Sequence, residues 1–380
     1  MSISDFIENY NRIEDESIRS FSNYLVRAFA PITFNNLNFQ TDIKSQNELW
    51  KYIDTQHEGR YFENMALLGG GITESEFELL QEAVDICMKF TKTIGKELIP
   101  INALTRSLIS YRAIKSYFTS LNKAPSVLEI GAGSGYLGLL CGISGWWYSS
   151  LDVSKSLVTY QNTLWNFAGF KVKFAEVGVT YSDSNFLQIP WWVWCNTESP
   201  LPNREIVVAN HVIQEMAPLS LSFTIRRSRD LSAKYITAEG LGDDAYKNNL
   251  NIINRNTVLI HNGVLKHNYQ KVWLWKIKNE EAKVSVGTNS IHFISKSKKQ
   301  FLINILLNYK FSAKLYRKIN QIKARKLSSR KTSQLLNKAL IHPSLIFNSN
   351  TLNDFLISKK VPLMNNDELI MRWANHTGHI

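Results

Sequence analysis

The chain has 380 residues, 44% of them hydrophobic and 20% charged, so it can bury a sizeable core and is long for a single domain. Its three cysteines are widely spaced and odd in number, which argues against a disulfide framework or a cysteine metal site and favours a reducing compartment. The acidic first residues lack the apolar run of a secretion signal, and no apolar run is long enough to span a bilayer, so we expect a cytoplasmic protein.

The net charge of +12 is concentrated in one stretch. Residues 296–338 contain 13 Lys or Arg and no acidic residue; removing these 13 from the 44 basic residues leaves 31, against 32 acidic ones. The stretch has the pattern of a basic amphipathic helix, which suits an anionic membrane surface, a nucleic acid or an acidic partner. Among these, peripheral contact with an anionic membrane ranks above nucleic acid, and an ordinary solvated helix packed on the domain fits at least as well.

Residues 1–120 have a mainly helical pattern. Thr73 or Ser75 is the expected N-cap of a helix whose apolar residues recur at helical spacing. A second amphipathic helix is predicted over residues 101–121, leading directly into a strand. Arg106 and Arg112 on this helix either orient a bound substrate or carboxylate or are ordinary surface arginines, and the second interpretation is favoured.

Residues 127–152 predict the opening half of a nucleotide-binding βαβ unit. A short apolar strand is followed by Gly131, Gly133 and Gly135, then by a helix and by a second strand that ends at Asp152. The glycines allow the backbone to turn sharply and a ligand to pass where a Cβ would stand. Asp152 is placed to reach ribose hydroxyls.

The nucleotide itself is open at this point, because residues 133–138 also satisfy the dinucleotide pattern G-x-G-x-x-G. Two features favour S-adenosylmethionine instead. The glycine run starts directly at the strand end, and Glu129 places a carboxylate there. That charge repels a pyrophosphate but attracts an amino group or a sulfonium.

The chain then continues with helices and strands in alternation. A helix is predicted over residues 154–167 and a third strand over residues 172–177. A long connection over residues 180–204 contains Trp191, Trp192 and Trp194, which either stack against a sugar ring or belong to the core; burial is favoured.

Residues 206–209 form a continuous apolar run and predict the fourth, central parallel strand. Asn210 and His211 follow at its carboxyl end, where ligands of open α/β sheets bind. His211 is the candidate general base, with a structural histidine as the alternative. Glu215, on an expected helix one turn later, is placed to orient the imidazole or to bind acceptor hydroxyls.

The last predicted strands follow in the same order. Residues 234–239 predict the fifth strand, and Asp243 and Asp244 after it are expected to be solvated loop acids rather than Mg²⁺ ligands. Asn262-Gly263 has the pattern of a hairpin turn. Residues 271–278 alternate and predict a late antiparallel strand.

The string E-I-G-A-G-S-G together with Asp152 resembles the first two motifs of class I S-adenosylmethionine-dependent methyltransferases. The strings SLDVSKSLVTYQNTLWNF and IVVANHVIQEM resemble, more narrowly, bacterial sugar O-methyltransferases. The resemblance covers residues 121–277. It implies an α/β fold with a Rossmann-like, mostly parallel sheet, an S-adenosylmethionine cofactor and a sugar or glycan precursor as acceptor.

With this resemblance we expect a helical cap over residues 1–120, a cofactor-binding domain over residues 121–280 and a basic, mostly helical extension over residues 281–380. The predicted function is methylation of a sugar hydroxyl, without a metal. The alternatives are an RNA methyltransferase, a non-catalytic cofactor-binding module and a dehydrogenase. Catalysis is assigned to His211 and Glu215, and cofactor binding to Glu129, Gly131, Ala132, Gly133, Gly135, Asp152, Val153 and Asn210.

Overall fold

The computed structural model of the chain describes residues 3–31, 41–45, 48–49, 73–95, 100–240, 247–264, 271–278, 284–287 and 290–293. Its N-terminal part holds the helices α1 (Ile3–Ile18), α2 (Asn23–Ala28), α3 (Glu74–Thr93) and α4 (Ile101–Leu121). The helical character expected for this part agrees with these elements. None of the described helices is both long and apolar enough to cross a membrane.

Helix α3 begins with a complete capping box. Thr73 Oγ1 accepts a hydrogen bond from the Glu76 amide, and Glu76 Oε2 accepts one from the Thr73 amide at 2.9 Å. Glu76 also receives two hydrogen bonds from the guanidinium of Arg112 on α4, at 2.7 and 2.6 Å. Arg112 therefore joins two helices in the interior and is not a surface arginine.

The core of the molecule is a sheet flanked by helices. In chain order it consists of β1 (Ser126–Ile130), α5 (Tyr136–Ile143), β2 (Trp147–Asp152), α6 (Lys155–Phe167), β3 (Lys173–Phe174), β4 (Phe186–Pro190), α7 (Trp191–Cys195), β5 (Ile206–Val208), α8 (Pro218–Asp230), β6 (Tyr235–Gly240), α9 (Lys247–Asn256), β7 (Thr257–Val264) and β8 (Lys271–Ile277). The strand order is β3-β4-β2-β1-β5-β6-β8-β7. All neighbours are parallel except that β8 is antiparallel to β6 and β7. This confirms the predicted mostly parallel α/β sheet with a late antiparallel strand.

The third strand is shorter than predicted, and the strand beside it was not predicted. Residues 173–174 form only a two-residue edge strand, and the strand that pairs with β2 is β4, inside the stretch expected to be a connection. β4 is buried throughout although it contains Gln188. The side-chain nitrogen of Gln188, Nε2, donates to Val158 O at 2.8 Å and to Gln161 Oε1 at 3.1 Å. These bonds satisfy a polar side chain inside a buried strand.

The predicted turn at Asn262-Gly263 was also wrong, because β7 continues through both residues. They pair with Trp273 and Val272 of β8, and the ladder has an irregularity between Leu259 and His261.

The extension predicted to be mostly helical contains a strand pair, β9 (Val284–Gly287) and β10 (Ser290–Phe293). Several residues of interest in the sequence lie outside the described ranges: the basic stretch 296–338, Asp243, Asp244, His376 and His379.

Two apolar layers cover the sheet. Val127 of β1 faces a cluster that includes α3, α4 and α5, while its neighbour Leu128 faces a cluster that includes α1, α7 and α8. The three tryptophans of α7 belong to the second cluster and are at most 4% exposed, as the favoured interpretation expected. Trp191 stacks on Phe29 with ring centroids 6.2 Å apart and donates to Glu14 Oε1 at 2.6 Å. These rings hold the N-terminal helices on the sheet.

Candidate functional site

A cavity of ≈ 370 Å³ opens at the carboxyl ends of the central strands. It lies where the strand order reverses, since β1 is flanked by β2 on one side and β5 on the other. All ten predicted site residues line it: Glu129, Gly131, Ala132, Gly133, Gly135, Asp152, Val153, Asn210, His211 and Glu215. The last residue of α2 and the three residues after it, together 28–31, also line the cavity.

The floor of the cavity is the turn between β1 and α5. Gly131, Gly133 and Gly135 have φ angles of 65°, 56° and 76°, in the left-handed region that favours glycine. A Cβ at Gly131 would stand 2.5 Å from Val212 Cγ2. At Gly133 no atom of the described residues beyond its chain neighbours lies within 4 Å of that position, so the turn is open there.

Helix α6 holds the turn in place through two side chains that the sequence analysis did not select. Gln161 Nε2 donates to Gly133 O at 2.6 Å, and the Trp165 indole donates to Gly135 O at 2.9 Å. A Cβ at Gly135 would stand 2.7 Å from the Trp165 ring. The glycine is therefore required by packing as well as by its φ angle. The only local signal for these two residues is their spacing of four along one helix face.

Asp152 ends β2 and bonds to the turn. Its Oδ2 accepts a hydrogen bond from the Gly133 amide and its Oδ1 one from the Ser154 amide, both at 3.0 Å. The carboxyl group is 5% exposed, and burial raises its pKa to about 6 although both amides favour the charged form. Asp152 thus fastens the glycine turn and still borders the cavity.

Glu129 lies at the end of β1 and is 6% exposed. The Tyr148 hydroxyl donates a hydrogen bond to its Oε2. Burial raises the pKa of Glu129 to about 8, which the Tyr148 hydrogen bond partly opposes and the nearby Asp152 increases. A positively charged ligand group beside Glu129 would lower this pKa and favour the ionised form.

Asn210 and His211 follow β5, and the segment after them is not the predicted helix. Residues 210–216 form turns, and His211 has a φ of 56°. The His211 amide donates to Glu239 O at 2.7 Å. Asn210 accepts a hydrogen bond from the Glu239 amide at 3.0 Å and donates one to Ser110 Oγ at 2.7 Å. Asn210 therefore ties β5 to β6 and to α4.

Glu239 is a cavity residue that the sequence analysis missed. It is 2% exposed, and its Oε1 lies 3.7 Å from His211 Nε2. Neither of these two buried atoms has a hydrogen-bond partner in the described part of the chain. The signal was present, because Glu239 ends the predicted fifth strand and so lies at the same sheet edge as His211.

Glu215 completes this side of the cavity. Burial raises its pKa to about 7; His211 lowers that pKa and Asp152 raises it. The turn segment that carries Glu215 is held by α9, because Asn249 donates to Ile213 O at 2.6 Å and to Met216 O at 2.9 Å.

Arg106 of α4 also lines the cavity, and its buried Nε has no hydrogen-bond partner in the described structure. It is half-buried. Within the described ranges, no group of three or more His, Cys, Asp or Glu residues is arranged to hold a metal ion.

No protein-family model matches the chain, and no curated protein matches its sequence. Among solved structures it is similar to magnesium protoporphyrin IX methyltransferase from Synechocystis PCC 6803, at 10% identity and a TM-score of 0.33 over 47% of this chain and 82% of that one. It is also similar to the bifunctional kinase-methyltransferase WbdD, at 10% identity and a TM-score of 0.33. That match covers 50% of this chain but only 42% of WbdD. The 16S rRNA methylase RmtB matches at 10% identity and a TM-score of 0.32 over 56% of this chain and 79% of RmtB.

Proposed function

We propose that this chain is an S-adenosylmethionine-dependent O-methyltransferase that methylates a hydroxyl group of a sugar in a glycan or glycolipid precursor. One arrangement carries the proposal: the glycine turn, Asp152 and His211 line a single cavity. That cavity lies outside the carboxyl ends of parallel strands where the strand order reverses, which is where open α/β sheets bind nucleotides.

The residues of the cavity fit the chemical groups of S-adenosylmethionine. The open space at Gly133 leaves room for a ligand against the backbone. Glu129 would hold the amino group, Asp152 the ribose hydroxyls, and Arg106 the carboxylate. Arg106 supports this assignment because its buried Nε has no partner in the described structure.

When bound, S-adenosylmethionine supplies a methyl group activated by a positively charged sulfur. His211 accepts the hydroxyl proton at Nε2 while the acceptor oxygen attacks, since a neutral imidazole is an effective base near pH 7. Glu239, with Oε1 3.7 Å from that nitrogen, stabilises the imidazolium that forms. The rest of the wall aligns the two reactants, which is the main task in a displacement of this kind.

Replacing the proposed base tests this mechanism. His211→Ala should lower turnover by about 10²- to 10⁴-fold, the usual contribution of a general base. Affinity for S-adenosylhomocysteine should be nearly unchanged, because none of the groups assigned to the cofactor is altered. The assay is incubation with labelled S-adenosylmethionine and cell-envelope sugar precursors, read by mass spectrometry, with calorimetry for affinity. Turnover within a few-fold of the parent would contradict the assignment.

The basic stretch 296–338 supports a second candidate, an RNA methyltransferase. The cavity argues against it, because the carboxylates on the wall would repel nucleic-acid phosphates close to the transfer site. RNA binding that weakens steeply with salt, together with methylated RNA in the same assay, would favour this candidate over the sugar.

A further inference from the structure

Acidic side chains outnumber lysine and arginine among the described residues that line the cavity. Glu129, Asp152, Glu215 and Glu239 line it, whereas Arg106 is the only arginine or lysine among its described lining residues. The proposed cofactor brings an amino group, a positive sulfur and one carboxylate, and the carboxylate accounts for the arginine. Glu215 and Glu239 remain as two acids beside the proposed base.

Glu239 is the stronger indication that a ligand group belongs here. It is 2% exposed, its Oε1 has no hydrogen-bond partner in the described structure, and it lines the cavity. A buried carboxyl oxygen that has lost its hydrogen bonds to water and gained no donor is unfavourable. His211 Nε2, 3.7 Å away, also lacks a partner there. Two such atoms side by side suit a ligand with two adjacent polar groups.

We propose that the acceptor is an amino sugar whose free, protonated amine is next to the hydroxyl that is methylated. The ammonium donates hydrogen bonds to Glu239 and Glu215, and the hydroxyl donates to His211 Nε2. This inference rests on the proposed function and names its substrate class. It assigns Glu239 and Glu215 to recognition of the acceptor.

The arrangement also determines which acceptor atom is methylated. The hydroxyl oxygen forms a bond to the methyl carbon as the carbon–sulfur bond breaks, and the sulfur keeps the electron pair. The hydroxyl proton passes to His211 and then to water. The ammonium stays protonated because the carboxylates beside it stabilise its charge, so its nitrogen has no lone pair for attack.

Other acceptors fit the same wall less well. A neutral diol would give Glu239 a hydrogen bond but would bring no opposite charge. A uronic acid or a sugar phosphate would bring a second anion close to two carboxylates and would be repelled.

The test uses three sugars that share one ring and differ in charge. Glucosamine is the cationic probe, glucose the neutral one and glucuronate the anionic one. Each is titrated into the full-length protein saturated with S-adenosylhomocysteine, and affinity is measured by calorimetry. We expect glucosamine to bind about 10- to 100-fold more tightly than glucose, as is usual for a hydrogen bond to a charged group, and glucuronate to bind more weakly than glucose.

Three variants test which residues cause the preference for glucosamine over glucose. Glu239→Gln and Glu215→Gln should each bring the affinities for glucosamine and glucose together while S-adenosylhomocysteine still binds. The matched control is the same change at the exposed Glu198, which should keep the full preference.

The outcomes separate this inference from the function on which it rests. If the parent protein does not bind S-adenosylhomocysteine, the proposed function fails. If it binds the cofactor product but treats glucosamine and glucose alike, prefers glucuronate, binds none of the three sugars, or keeps its preference in both cavity variants, the proposed acceptor class is wrong.

Discussion

Four residues that line the cavity have left-handed backbone conformations. The three glycines of the turn and His211 all have φ between 56° and 76°. The glycines adopt this region without a Cβ penalty. His211, the proposed base, adopts it although it has a Cβ, which is uncommon for a residue other than glycine. Backbone strain of this kind is commonly held at functional sites by the surrounding structure. The Glu239 carbonyl, which accepts from the His211 amide, is part of that support.

A substitution at Gly133 can distinguish two roles of the glycine: adopting a positive φ and leaving space for a ligand. Gly133→Ala should cost about 1–2 kcal/mol of stability because its φ is positive, and it should also reduce the affinity for S-adenosylhomocysteine sharply, because the new methyl group enters the open space. Gly178 is the matched control, since its φ is 78° and its Cβ position is equally free of neighbours, but it does not line the cavity.

Chemical unfolding and calorimetry on both glycine variants check this prediction. Gly178→Ala should lose stability and keep its affinity for S-adenosylhomocysteine. Equal affinities for the two alanine variants would mean that the space at Gly133 is not used by the ligand.

At the scale of elements, the segment 210–216 depends on a helix that comes later in the chain. Asn249 near the start of α9 donates to two carbonyls of this segment and is 8% exposed. Removing a buried donor leaves those carbonyls unsatisfied and lets the segment move. The position of His211 against Glu239 therefore depends on α9 as well as on β5.

Asn249→Ala should lower turnover because it loosens the segment that carries His211 and Glu215. The affinity for S-adenosylhomocysteine should change much less, since the glycine turn and Asp152 are held by α6 instead. Asn256→Ala is the control on the same helix, because its side chain donates to Ile252 O within its own helix. A loss of turnover that is equal in both variants would show that the effect comes from general destabilisation of α9.

At the scale of the whole molecule, the cavity makes stability depend on pH. The pKa values of Glu129, Asp152 and Glu215 are raised to about 8, 6 and 7, mainly by burial. Their ordinary values are 4.5, 3.8 and 4.5, so the unfolded chain releases these protons at lower pH than the folded protein does. Between the two sets of values the folded protein binds more protons, and stability falls as the pH rises.

Glu129→Gln should reduce the fall in folding stability between pH 4.5 and about 8. Glutamine cannot ionise, and it can still accept the hydrogen bond from Tyr148. Melting temperatures measured across that range should fall less steeply for the variant than for the parent. The same change at the exposed Glu198 should leave the slope as it is. A steeper fall for Glu129→Gln would show that the buried carboxyl is ionised more readily in the folded protein than in the unfolded chain.

Prediction from the sequence succeeded where one continuous stretch contains the whole pattern. The order of β1, the glycine turn, α5, β2 and Asp152 follows from hydrophobic periodicity and from glycine positions within 26 residues. It failed where a stretch that contains a polar residue or ends at a proline becomes a strand because residues far away in the sequence bond to it. β4 is the example, because the amide of Gln188 is satisfied by α6 and the strand ends at Pro190.

The sequence by itself therefore determined the class of sheet, the edge at which a ligand would bind and ten residues that line the cavity, because strand ends and glycine turns are local properties. Only the tertiary structure decided that Glu239 stands beside His211, that Gln161 and Trp165 hold the glycine turn, and that Arg106 rather than Arg112 reaches the cavity. These side chains meet across large separations in the chain, and their contacts depend on strand register and helix packing. Neither is encoded in a short stretch of residues.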